Sequence, residues 1–196
     1  MIKYKYLLFL FLLCGGHAYA QSNSLGNTPD SPNPDELPID PVTGTVSYSE
    51  TVTLQEVSRA TLDQRSQHWF LARIKPTPDE QQRYLASAQK CGILTYKGWQ
   101  EDSIVVQGKT ERYKLHYIVQ LHTGPDYYHY DINALVIEHF SGSASSKPRL
   151  VPLETYVGRT YFPGSLEEKM VQQYKLHTYV FAQHLKESIN AAMLKP

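Results

Sequence analysis

The 196-residue sequence is poor in cysteine, with only Cys14 and Cys91. Cys14 lies in a segment read below as a cleaved leader, so Cys91 has no internal partner and no disulfide framework is expected. A single remaining cysteine in strand-like surroundings reads as a small buried hydrophobe rather than a nucleophile. Excess charge of either sign is also missing, because Lys plus Arg and Asp plus Glu both number 19. Loss of Lys3 and Lys5 with the leader leaves 17 bases against 19 acids, a net charge of −2. That balance argues against a nucleic-acid partner, whose binding protein is usually basic. Hydrolase and nucleotide signatures are absent as well: there is no G-x-S-x-G, no H-E-x-x-H and no P-loop. No cofactor and no catalytic residue are therefore assigned, and the chain reads as a binding module before an enzyme.

Long apolar runs are scarce. Leu7 to Leu13 is too short to span a bilayer as a helix, so no transmembrane helix is expected. With Lys3 and Lys5 before it and Ala18-Tyr19-Ala20 after it, the run reads as a signal peptide over 1–20, with Gln21 as the mature start. A lipid anchor at Cys14 is the alternative. Lipoprotein signals usually carry Gly or Ala just before the cysteine, whereas Leu13 stands there, so periplasmic or secreted export without lipid is the expectation. Residues 21–41 hold Pro29, Pro32, Pro34, Pro38 and Pro41 among Ser, Asn and Asp, the composition of a linker. Residues 42–196 are long enough for a single α+β domain that includes the C-terminal helix.

Tyrosine is abundant: fifteen against six phenylalanines. Tyrosine suits a sheet with one wet face, its ring packing while its hydroxyl reaches water. The tyrosines concentrate in the segment that organises the chain, Tyr113 to Phe140. Tyr113, Leu115, Tyr117, Val119 and Leu121 alternate with Lys114, His116, Gln120 and His122. Tyr128, Tyr130, Ile132, Ala134 and Val136 alternate likewise with Tyr127, His129, Asp131 and Asn133. This is the period of two half-buried strands. Gly124-Pro125-Asp126 supplies the turn. Closing the hairpin with His122 opposite Tyr127 sets Leu121 against Tyr128, Val119 against Tyr130, Tyr117 against Ile132 and Leu115 against Ala134, apolar on apolar throughout.

Around this hairpin, Thr45–Gln55 reads as a strand with Glu50 on its apolar side. An unpaired buried carboxylate is costly, so Glu50 is expected to reach solvent. Ser58 caps a helix carrying Leu62, Ser66, Trp69 and Phe70 at helical spacing, with Val57 and Leu62 as a hydrophobic staple and Pro76 and Pro78 as its end. Gly92–Trp99 reads as a strand, and Ile104–Gln107 as a short strand after a loop. Residues 79–90 and 141–162 are not assignable from pattern, apart from a Ser-rich, loop-like 141–147. Ser165 and Glu168 have capping-box spacing before a long helix whose stripe is Leu166, Met170, Tyr174, His177, Phe181, Leu185 and Ile189.

Several of these segments carry a family resemblance. Leu37-Pro38-Ile39-Asp40 leading to Gly44–Val52, then Val57-Ser58, Trp69, Gly92–Gly98, Tyr127–Asn133 and Pro152-Leu153-Glu154 resemble an exported bacterial family of unknown function with a TATA-binding-protein-like (TBP-like) fold. The match covers Leu37 to Phe140, and the closing helix fits by position. The chain departs from the pattern in a longer loop after Trp99 and in residues 141–162. The resemblance implies a two-layer fold: a mainly antiparallel curved sheet of four to five strands, two helices on one face and a long C-terminal helix. It implies no catalytic residues and, being a statement of shape, no DNA binding.

With both helices on the apolar face, the polar face stays open, as a two-layer domain allows. His116, Gln120, His129, Asp131 and Asn133 are the candidate residues for binding an envelope protein, peptide or glycan. His122 and His129, diagonal neighbours in the register above, are weak metal candidates, since imidazole and carboxylate suit zinc but no ligand spacing singles them out. The competing class is a small hydrolase or metal-dependent enzyme, which would need Glu50, His129 or Cys91 to meet in space.

Overall fold

A computed structural model describes residues 37–74, 77–140 and 147–195. The predicted signal peptide, residues 21–36 of the linker, Pro76 and most of the Ser-rich loop lie outside the described residues, as does the Cys91 side chain. Residues 37–41, placed in the linker by composition, contribute to the domain: Leu37 is buried in the core and Ile39 bridges to Val46.

The elements in order are β1 (Tyr48–Thr53), α1 (Arg59–Ile74), α2 (Pro78–Cys91), β2 (Ile93–Val106), β3 (Lys109–Gly124), β4 (Tyr127–His139), β5 (Arg149–Pro152), α3 (Glu154–Val157) and α4 (Leu166–Met193). The strands form one curved antiparallel sheet in the order β1-β4-β3-β2. The outer edge of β4 is shared: β1 pairs with Tyr127 to Ile132, and β5 with Val136 to His139.

The β3–β4 hairpin exists, but two residues tighter than expected. Gly124 pairs with Tyr127, Leu121 with Tyr130 and Val119 with Ile132. The turn holds only Pro125 and Asp126, because Asp126 takes φ +59°, a region open to Asp at modest cost. The Asp126 carboxylate also accepts the Val57 N–H at 3.0 Å, which ties the turn to the entry of α1. A shift of two residues preserves which face each residue takes, so the assignment of faces survives up to Ile132.

Beyond Ile132 it does not. The register slips between His116 and Ile118, where Ala134 adopts φ +51°. This is a β-bulge, which inserts one residue and reverses the alternation after it. Ala134 and Val136 therefore leave the apolar face on which simple alternation placed them, and Leu135 and Ile137 take the core positions. β2 also differs from expectation: it is one 14-residue strand through Trp99–Ser103, with no loop there. It joins β3 through Gln107 and Gly108, both at positive φ, as tight hairpin turns require.

The helices follow their end signals. Thr61 donates to the Ser58 hydroxyl at 3.1 Å, and Glu168 to the Ser165 hydroxyl at 3.1 Å. Pro78 does not end α1. It opens α2, where a proline without an N–H is tolerated. α4, 28 residues long, spans about 42 Å at 1.5 Å per residue. Its buried stripe includes Val171, Tyr174, Thr178, Phe181, Leu185 and Ile189, while Leu166 is exposed and His177 half-buried.

The core lies between α1 and α4 on one side and Tyr113, Tyr117, Val119, Tyr128, Tyr130 and Ile132 on the other. The helices are joined by Trp69 Nε1 donating to Ser188 Oγ at 3.1 Å. The tyrosines correct the sequence reading in one respect. The hydroxyls of Tyr128 and Tyr130 end on polar side chains within the fold, the first on α4 and the second on the neighbouring β1. Tyr128 donates to Asn190 Oδ1 at 2.8 Å, and Tyr130 donates to Glu50. Burial pushes the Tyr128 hydroxyl up to about 12 and raises the others further. Gly98 has a separate role: a Cβ there would lie 2.6 Å from the Tyr117 ring, so only glycine lets that ring cover β2. No helix among the described residues is long and apolar enough to cross a membrane.

Candidate functional site

All the helix contacts named above fall on one face of the sheet. The opposite face is built from the alternate residues of the same strands. Its centre is set by the observed register: His122 sits directly opposite His129, not diagonal to it, and Gln120 sits opposite Asp131. Asn133 follows on β4, and Ser49 and Thr51 of β1 flank His129 and Asp131. His116 lies further along β3, opposite Val136, and its Nε2 meets the Glu138 carboxylate. The five candidate residues His116, Gln120, His129, Asp131 and Asn133 thus share this face and are half-buried.

His129 is held from both sides. Its Nδ1 is 2.8 Å from the Thr51 hydroxyl and its Nε2 2.9 Å from Asp131 Oδ2, with the Ser49 hydroxyl at 3.4 Å. The hydrogen bond to Asp131 raises the His129 pKa above its ordinary value against the opposing effect of burial. The same bond, helped by Ser49, holds Asp131 below the usual carboxylate range. His122 is pushed the other way, first by burial and then by Arg59 and His129, so it favours the neutral imidazole. The row presents one hydrogen-bonded imidazole–carboxylate pair, a second imidazole and two amides. It is a fixed pattern of hydrogen-bond donors and acceptors.

An aromatic and basic group flanks this row. Trp99 of β2 lies opposite His116 and is 56% exposed. Lys114 Nζ sits 4.7 Å from the centre of the Trp99 ring and 5.1 Å from that of Phe140. Glu101 pairs with Arg112 at 3.0 Å. The cation–π contact holds the Trp99 ring by one of its faces. Sequence reasoning missed this group because Trp99 was taken as the end of a strand. The clue was there: Lys97, Trp99 and Glu101 continue the two-residue period.

Of the catalytic combination considered from sequence, Glu50 and His129 do not meet. Glu50 faces the helices, where Tyr130 donates to it and Lys186 Nζ lies 3.4 Å away, while His129 lies on the opposite face. Glu50 is thus paired and 41% exposed rather than simply solvated. Among the described residues no three His, Cys, Asp or Glu side chains converge as metal ligands. A second polar cluster escaped notice altogether. Asp102 Oδ2 is 2.9 Å from His177 Nδ1 and 3.2 Å from the Tyr113 hydroxyl, which fastens α4 to β2.

Comparison with known proteins supports the fold. The chain is similar to a TBP-like protein from Parabacteroides distasonis, with 12% identity, a TM-score of 0.51, and coverage of 80% of this chain and 96% of that one. It is also similar to a DUF4468 family protein from Bacteroides ovatus, with 11% identity, a TM-score of 0.56, and coverage of 81% and 91%. No family model matches the sequence, and no curated protein does. At such identities the likeness establishes the TBP-like fold, which is the fold implied by the sequence resemblance.

Proposed function

We propose that this protein is an exported, non-enzymatic binding module that engages a protein, peptide or glycan of the cell envelope through the open face of its sheet. The observation that carries this reading is the row His122–His129–Asp131–Gln120, uncovered by any described helix yet fixed in geometry by Thr51 and Ser49. Ordering polar side chains before a partner arrives lowers the entropic cost of binding. Trp99 adds an amphipathic ring of the kind enriched at interfaces. Export rests on the basic, apolar and small-residue blocks of 1–20.

Cosedimentation with isolated native envelope tests the binding reading. The wild-type protein should be retained, and a Trp99→Ala/Asp131→Ala variant should be released, with both proteins folded by circular dichroism. Equal retention of the two would remove the open face from the account. Intact-mass analysis tests export separately: a chain starting at Gln21 is expected, and a lipid-bearing chain starting at Cys14 would move the protein to a membrane surface.

A further inference from the structure

At the end of the sheet near Phe140, β4, β5, α3 and α4 line a groove of about 440 Å³. Its volume falls within the range of small-molecule sites, roughly 300–1,000 Å³. The wall is aromatic. Tyr156 and Tyr174 have ring centres 5.7 Å apart, and His139 bridges their hydroxyls at 2.6 and 3.5 Å. Met170 and Val171 of α4 complete the apolar lining.

Arg149 and Arg159 also line this groove, and both are exposed. Neither forms an ion pair among the described residues. Glu167 is the acid in the lining, and Glu111 acts on His139 from a distance, yet neither pairs with an arginine. His139 is pushed toward the neutral form, first by burial and then by Arg149. The Tyr161 hydroxyl, from another lining residue, is buried without a hydrogen-bond partner among the described residues. The groove therefore combines aromatic walls, two guanidiniums that form no ion pair among the described residues, and an unsatisfied hydroxyl.

We propose that this groove binds a small organic carboxylate with an apolar, ring-sized body. The guanidinium forks of Arg149 and Arg159 take the carboxylate, and the ring packs against the aromatic wall of Tyr156 and Tyr174. Guanidinium matches a carboxylate in a planar, two-point geometry, which accounts for arginine at both positions. The proposal is independent of the open-face reading.

Calorimetric titration of the purified protein with sodium benzoate tests it, with benzamide and inorganic phosphate as comparators. Benzoate should bind saturably with a Kd on the order of 1 mM or tighter, a modest demand on a ligand of this size. Benzamide and phosphate should each bind at least about tenfold more weakly, as loss of a charge-assisted contact or of the ring's packing implies. An Arg149→Gln/Arg159→Gln variant, altered at exposed positions, should keep its thermal midpoint and lose benzoate affinity. Four outcomes would each overturn the assignment: no saturable benzoate binding, equal binding of benzamide, equal binding of phosphate, or full affinity in the arginine variant.

Discussion

Replacing Tyr117 by alanine and, separately, His129 by alanine measures what each face of the sheet contributes. Tyr117 is 5% exposed and touches three groups that cannot easily move in to replace it. Its ring lies 4.7 Å from that of Phe181 and 5.7 Å from that of Tyr96, and it covers Gly98, which has no side chain. A buried tyrosine ring removes roughly 150–250 Å² from water, which at about 25 cal/mol per Å² is about 4–6 kcal/mol before the chain relaxes. Measured aromatic truncations cost about 3–5 kcal/mol, and poor collapse around Gly98 places Tyr117→Ala toward the upper end. His129 is half-buried, and its pair with Asp131 remains open to water, so His129→Ala should cost about 0.5–1 kcal/mol at neutral pH. Urea unfolding followed by far-ultraviolet circular dichroism gives both values, with an unchanged slope confirming that the native and unfolded states are comparable. Because about 5 kcal/mol can exhaust the stability of a small domain, Tyr117→Phe serves as a second variant, with an expected cost of about 1 kcal/mol. If His129→Ala proved more damaging than Tyr117→Ala, the polar row would have to be buried, and the open-face account would fail.

Other consequences can be measured independently. His129 titrates above its ordinary value, so its stabilisation is complete below about pH 6.5 and disappears as pH rises through the folded value. Asp131 titrates below its usual range, so its share is present above about pH 4 and fails as pH falls through the folded value. The cost of His129→Ala should thus peak between about pH 4 and 6.5 and shrink as pH rises through the folded value of His129, whereas a pH-independent cost would contradict the pairing. His122 shifts in the opposite sense, first through burial and then through Arg59 and His129, so the comparison belongs in a His122→Gln background. At the bulge, Ala134→Gly relieves a left-handed alanine while adding freedom to the unfolded chain, so it should be neutral or stabilising by up to about 1 kcal/mol. A loss of more than that in thermal unfolding would show that Ala134 does not adopt the bulged conformation. The protein should show no salt-sensitive, submicromolar binding to mixed-sequence duplex DNA, since a net charge of zero for the full sequence, or −2 if residues 1–20 are removed, provides little counterion release.

What could be read from the sequence was whatever repeats locally. Alternation in Tyr113–Leu121 and Tyr128–Ile132 identified the core face and, by elimination, all five residues of the polar row. Ser58 and Ser165 marked the starts of α1 and α4. Features depending on one unusual backbone angle were hidden: Asp126 at φ +59° tightened the hairpin by two residues, and Ala134 at φ +51° reversed the alternation beyond Ile132. β2 was cut short because Gln100 and Asp102 place polar groups on the helix side. Asp102 is compensated there by His177, 75 residues away, and no local pattern can announce such a partner. Glu50 was obscured for the same reason, since Tyr130 and Lys186 belong to distant segments. α2 escaped assignment because it is a largely polar helix whose partner contact, Tyr84 on Phe70, comes from tertiary structure.

The central claim is that the open sheet face meets the envelope partner, and site-specific photo-crosslinking in the native host tests it most directly. A photoreactive residue at Gln120, in the centre of the row, should yield a discrete crosslinked species. The same residue at Gln172, exposed on α4, should yield none. Crosslinks from Gln172 with none from Gln120 would contradict the account and move the interaction surface to the helices.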